Sequence, residues 1–188
     1  MAAERGSSGS ELAELLVHLG RAAYAGAGGE LTAAQWAALR YFARANRFSR
    51  TVSGFADYHA TTRGTASQTV RSLVERGYLL RSRSERDGRS VVLDLTGRAR
   101  RTLGADPLQR LALAAGRLDA RRRDRLAEDL RALQDQLGQS RGGGCGVCAR
   151  CGHLLRGGRE FRCGLMDEAL DASETGEICL RYRPRPDD

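Results

Sequence analysis

All five cysteines of the chain, Cys145, Cys148, Cys151, Cys163 and Cys179, lie in its last quarter, past a glycine break at Gly142-Gly143-Gly144. That confinement divides the 188 residues into two unlike pieces. Residues 1–140 contain no thiol and must close around an ordinary apolar core. Residues 141–188 carry few large apolar side chains and are too short to hold together by burial alone. A bound metal would supply the missing folding energy there. The expected organisation is a domain over 1–140 followed by a cysteine-rich, metal- or cluster-binding tail over 141–188.

The compartment decides how the cysteines are read. The opening stretch, Met1 to Ser10, lacks the apolar core of a secretory signal, and no apolar run approaches the ~20 residues of a membrane span. The expected location is the cytoplasm, with no membrane partner. In a reducing cytosol a clustered cysteine set points to a metal site rather than a disulfide framework, and an odd total fits internal pairing poorly. The net charge is +8 and every basic residue is arginine. A positive balance favours a polyanionic partner, of which nucleic acid is the usual one.

Helical periodicity runs through most of the first piece. Residues Glu11 to Tyr24 place Leu12, Leu15, Leu16 and Leu19 on one face. Thr32 to Gln35 has the form of a capping box, with Leu31 and Trp36 spaced as a hydrophobic staple. Trp36, Leu39 and Phe42 continue a stripe that reads as core. Two short helices follow, Val52–His59 and Arg63–Arg76, the second with Thr62 as N-cap and Gly77 as terminator. In that second helix Val70, Leu73 and Val74 point inward, while Arg63, Ser67, Gln68 and Arg71 fall on the opposite side. The period then changes to two: Tyr78–Ser84 and Ser90–Leu95 flank Asp87-Gly88, a strong hairpin signal. From Thr96 the pattern returns to helix, interrupted at Asp106-Pro107. A last long helix after Asp119 carries Leu126, Leu130, Leu133 and Leu137. That stripe, sustained for three turns, calls for cover by a partner helix from a second subunit.

Helix, short turn, helix and two-stranded hairpin is the winged helix-turn-helix order. The segments Phe55-Ala56-Asp57-Tyr58, Thr62 through Arg81, Asp87-Gly88-Arg89 and Leu93 through Gly97 together resemble the MarR family of bacterial transcriptional regulators. The resemblance covers roughly residues 10 to 140. It implies a fold that is mainly α with a small β-hairpin wing, and a homodimer in which the first and last two helices interleave. Each recognition helix would enter a major groove of a pseudo-palindromic operator in double-stranded DNA, and each wing the neighbouring minor groove. Gly64 departs from the family, which often has proline at this place. The resemblance would also permit a small aromatic effector in the crevice between dimer and winged lobes.

The residues themselves suit that task. Arg63 and Arg71 could pair with phosphates or read guanine edges, and Gln68 suits adenine. Thr62, Thr65 and Ser67 are short donors that can hold phosphates where the helix N-terminus adds its dipole. Arg86 and Arg89 would sit at the wing tip, where a narrow minor groove concentrates negative potential. The Arg121-Arg122-Arg123 run reads as a solvated helix surface, and His18 and His59 as structural or solvated.

Thiolates are soft ligands for zinc, copper(I) and iron–sulfur clusters. The tail has one Cys-x-x-Cys knuckle, Cys148 and Cys151, followed by two lone cysteines, Cys163 and Cys179. Structural zinc ribbons usually bring two knuckles together, so this pattern is closer to a small cysteine-ligated iron–sulfur module, most naturally four-iron (4Fe-4S). The expected ligands are Cys148, Cys151, Cys163 and Cys179, with Cys145 a substitute or spare. Zinc is the alternative cofactor, and His153 could replace a cysteine at zinc. Packed on the dimer helices, such a module could bias the spacing of the two recognition helices.

The expected function is therefore a DNA-binding regulator, a repressor in the first reading, answering to redox, oxygen, nitric oxide or iron status. A zinc-stabilised regulator with a small-molecule effector, and an electron-transfer protein with a helical platform, are the alternatives. Nothing in the sequence resembles a catalytic constellation, a phosphate-binding glycine loop or a flavin motif, so no enzyme is expected.

Overall fold

The computed structural model describes residues 8–24, 29–83, 88, 90–139, 145–158 and 160–185. The first helix, α1 (Gly9–Tyr24), leads to α2 (Ala33–Arg44), whose start is the capping box read from the sequence. The Gln35 N–H donates to Thr32 Oγ1 at 3.2 Å, and the Thr32 N–H donates to Gln35 Oε1 at 2.9 Å. Leu31 and Trp36, the staple pair, are both buried. Trp36 is therefore a core residue.

Helices α3 (Val52–Tyr58) and α4 (Arg63–Glu75) form the helix-turn-helix. Thr51 caps the first and Thr62 the second, each hydroxyl accepting an N–H three residues on. Helix α4 ends because Gly77 takes φ +71°. Its N–H then bonds Val74 O and that of Tyr78 bonds Leu73 O, so two terminal carbonyls are satisfied as the chain turns into the wing. Strands β1 (Leu79–Arg83) and β2 (Val91–Leu95) pair antiparallel, Leu79 opposite Leu95 and Arg81 opposite Leu93. Leu79, Leu93 and Leu95 face inward and close the winged core over Leu39, Phe42, Phe55, Val70 and Leu73.

Three helices follow: α5 (Gly97–Leu103), α6 (Leu108–Gly116) and α7 (Ala120–Gln139). The break between α5 and α6 falls at Asp106-Pro107, where the Asp106 carboxylate accepts the Leu108 N–H and pairs with Arg40 at 2.9 Å. Leu12, Leu15, Leu16 and Leu19 on α1, Leu113 on α6, and Leu126, Leu130 and Leu137 on α7 all stand exposed.

The tail has a fold that periodicity did not reveal. Strands β4 (Leu154–Gly157), β5 (Glu160–Cys163) and β6 (Glu168–Leu170) make an antiparallel meander. A two-residue ladder joins β3 (Gly146–Val147) to β7 (Ile178–Cys179). The module touches α7 at its start, where Cys145 Sγ lies 4.0 Å from Gln134 Nε2. It seats on the winged lobe, at the loop between α2 and α3: Ala45 bridges Ile178, and the Asn46 N–H donates to Ile178 O at 2.9 Å. The reason is local. Phe48 leaves the winged core and packs with Cys148, Leu154 and Leu170, supplying apolar surface that the module lacks. No helix of the described residues is long and apolar enough to cross a membrane.

Candidate DNA-reading face and cysteine site

Helix α4 separates its two faces cleanly. Ala66, Val70 and Leu73 are buried in the winged core. Thr62, Arg63, Thr65, Gln68 and Arg71 are exposed, with Ser67 half-buried beside them. The spacing 63, 67, 68, 71 places these side chains along one stripe. Thr62 Oγ1 holds the first turn by accepting from the Thr65 N–H at 3.1 Å and pairing with Thr65 Oγ1 at 2.8 Å. A Cβ at Gly64 would meet nothing nearer than Thr62 Oγ1 at 3.9 Å, so that departure from proline opens space without changing the packing. Arg86 and Arg89 lie outside the described residues. Arg121, Arg122 and Arg123 are exposed on α7. His59 is exposed as a residue, with its ring set edge-on to Tyr41, Phe55 and Tyr58, and partial burial, then the nearby Arg40 charge, holds its pKa below the ordinary histidine value.

A model of the MarR family matches residues 30–90. These residues form a MarR-type winged helix. Solved MarR structures share the fold. The DNA complex of MepR from Staphylococcus aureus has a TM-score of 0.57 at 18% identity over 69% of this chain and 96% of that one. A MarR/EmrR family regulator from Acinetobacter sp. ADP1 gives 0.54 at 19%, over 69% and 92%. PcaV of Streptomyces coelicolor, bound to its natural ligand, gives 0.51 at 22%, over 72% and 97%. No curated protein matches the chain.

The cysteines lie in the C-terminal part of the chain. Cys148, Cys151, Cys163 and Cys179, the four cysteines named from the sequence, all line one small cavity. Cys145 does not: its Sγ lies 4.0 Å from Gln134 Nε2 on α7. The knuckle is a single 3₁₀ turn, Cys148–Arg150, closed by the Cys151 N–H on Cys148 O. Cys163 and Cys179 come from strands, opposite Leu154 and Gly146 respectively. The Arg181 N–H donates to Cys179 Sγ at 3.4 Å. Burial, then the neighbouring Cys151, Cys179 and Cys163, pushes the Cys148 thiol up to about 11. A cation bound among these thiols would oppose that shift. Among the described residues no group of three or more His, Cys, Asp or Glu is arranged to hold a single metal ion. The four thiols stand around a cavity rather than meeting at a point.

Sequence reasoning missed the contribution of the winged lobe. Asn46 also lines this cavity; it is 4% exposed, and its Oδ1 has no hydrogen-bond partner. An orphaned buried polar atom is costly in an empty apolar pocket and natural beside a polar or inorganic occupant. The donor set, the N–H aimed at sulfur and the orphaned amide all fit a thiolate-bound metal centre. The only signal in the sequence was a lone aromatic, Phe48, inside the polar stretch Asn46-Arg47-Phe48-Ser49-Arg50.

Proposed function

We propose that this chain is a homodimeric, sequence-specific DNA-binding transcriptional regulator whose grip on DNA is set by an iron–sulfur cluster ligated by Cys148, Cys151, Cys163 and Cys179. The observation that carries the reading is the joint placement of a four-thiol cavity and a MarR-type reading head in one packed body. The DNA half rests on the exposed stripe Arg63, Gln68 and Arg71 opposite a buried stripe, and on the fold shared with a relative solved on DNA. Exposed leucines on α1, α6 and α7 are the surfaces a second subunit would cover.

In this reading Arg63 and Arg71 engage phosphates or guanine edges, Gln68 an adenine, and Thr65 and Ser67 the backbone near the N-terminus of α4. A cysteine-ligated cluster supplies a centre whose charge and integrity respond to oxidants and iron supply. The chain's part is to hold four thiolates, shield them with Phe48, Leu154 and Leu170, and donate the Arg181 N–H to one of them. One Cys-x-x-Cys knuckle followed by two lone cysteines, rather than two knuckles, is what favours the cluster over zinc. A colourless protein with one zinc per chain would keep the regulator and replace the sensor by a structural ion.

The test is duplex binding by the full chain, purified without air, titrated against salt before and after metal removal. A regulator of this kind loses affinity steeply as salt rises and changes affinity when stripped. Salt-independent binding, or no binding, contradicts the DNA reading.

A further inference from the structure

Six consecutive residues connect the cysteine cavity to the wing. Ala45 bridges Ile178, the residue before Cys179, and Asn46 bonds the same residue through its backbone and is among the residues that line the cysteine cavity, its Oδ1 buried. Arg47 reaches Ala169 O at 2.6 Å and Glu174 at 3.5 Å, and Phe48 packs on the module's core. Ser49, 2% exposed, accepts the Leu180 N–H on its hydroxyl and the Tyr41 O–H on its carbonyl. Arg50 then faces both ways: its guanidinium pairs with Asp94 of β2 at 3.0 Å and with Glu177 of the module at 3.5 Å, and its carbonyl accepts the Leu93 N–H of the same wing strand at 2.8 Å.

The packing leaves little slack along this path. A Cβ at Gly54 on α3 would stand 2.5 Å from Ser49 O and 2.6 Å from Leu180 Cδ1, so α3, the loop and the module are in direct contact. Beyond the loop, wing and module face each other across a cleft of about 740 Å³, which Arg50 spans. A shift of residues 177–180 therefore has a stiff route to the strand that carries the wing.

We propose that the 45–50 loop is the coupling element of this regulator, with Asn46 as the positioning residue that meets the cysteine-bound centre and Arg50 as the residue that passes its state to the wing. The inference rests on the metal-loaded reading above and deepens it by naming the route. Asn46 sets the environment of the centre through its side-chain amide. Arg50 sets where β2 stands relative to Glu177, and hence how the wing meets DNA.

The experiment uses the full chain, prepared anaerobically, and a duplex selected by the wild-type protein from a randomised pool. The dissociation constant is measured for metal-loaded and chelator-stripped samples, with the visible spectrum, midpoint potential and metal content recorded for each. Wild type should show a loaded-to-stripped ratio in the range of allosteric couplings, about 5–150-fold. Arg50→Gln should bring that ratio to about 1, below the range of such couplings, while spectrum and metal content stay as in wild type. Asn46→Ala should move the midpoint potential or the spectrum, which loss of mere packing at Arg50 would not. If Arg50→Gln does not fold, Asp94→Asn, on the exposed side of the wing, asks the same question. An unchanged ratio in these variants overturns the coupling route alone; no ratio in a metal-loaded wild type overturns the metal control of DNA binding proposed above and the route with it. Wild-type protein that takes up no metal overturns the cysteine site and the route with it.

Discussion

Between Leu31 and Ala99 the chain closes around Leu39, Tyr41, Phe42, Phe55, Val70, Leu73 and Leu93, a continuous apolar core. Between Cys145 and Arg185 the buried cluster is Cys148, Leu154 and Leu170, completed by Phe48 borrowed from the other lobe. The winged lobe has enough apolar surface to fold on its own terms. The module has not, and three of its seven buried described residues, Cys148, Cys151 and Cys179, carry ligand chemistry. In the proposed reading a centre bound by these thiols supplies the stabilisation the apolar groups do not. The two regions therefore differ in which perturbation each should feel.

The widest separation should come from the cysteines. Cys148→Ser should abolish metal loading and leave the module open to proteolysis while the winged lobe still melts cooperatively. Joint unfolding of both regions would show that the lobe depends on the module. In the lobe, Leu73→Ala removes a fully buried side chain and should cost ~2–5 kcal/mol in a denaturant melt, with metal content unchanged. Arg71→Ala leaves both cores intact and should cost ~1–3 kcal/mol in duplex binding and flatten the salt dependence. At the seam, Gly54→Ala forces a Cβ against Ser49 O and Leu180 and should cost ~1–3 kcal/mol, felt by both regions.

The smallest effects are pH-dependent and opposite in sign. His59 is held below its usual pKa of 6.5 in the folded lobe, so its contribution is full above that value and is lost as pH falls through the lower folded one. Cys148 is raised from 9.0 to about 11 in the metal-free module, so its contribution is full below about 9 and is lost as pH rises toward about 11. Melts of metal-free protein across this range should show acid loosening the lobe and alkali loosening the module.

Much of the lobe was legible because each of its elements carries a local signal that agrees with its packing. The capping box at Thr32 and Gln35, the stop at Gly77 and the two-residue period on either side of Asp87-Gly88 each dictate backbone geometry over a few residues. The strands of the module escaped because they are two to four residues long and half-exposed, so no alternation accumulates. The four ligand candidates were legible from spacing and chemistry, and they line one cavity as a set. The docking surface was not. It depends on Asn46, Ser49 and Arg50 meeting residues about 130 positions away (Arg50 to Glu177 is 127 in sequence), and nothing local in a polar loop announces such a partner.

One measurement bears most directly on the whole account: iron, acid-labile sulfide and zinc per chain in protein purified without air. About four iron and four sulfide per chain, with broad visible absorption that bleaches on oxidation, is the expected result. Protein free of all three, with five thiols that titrate freely in the folded state, would contradict it.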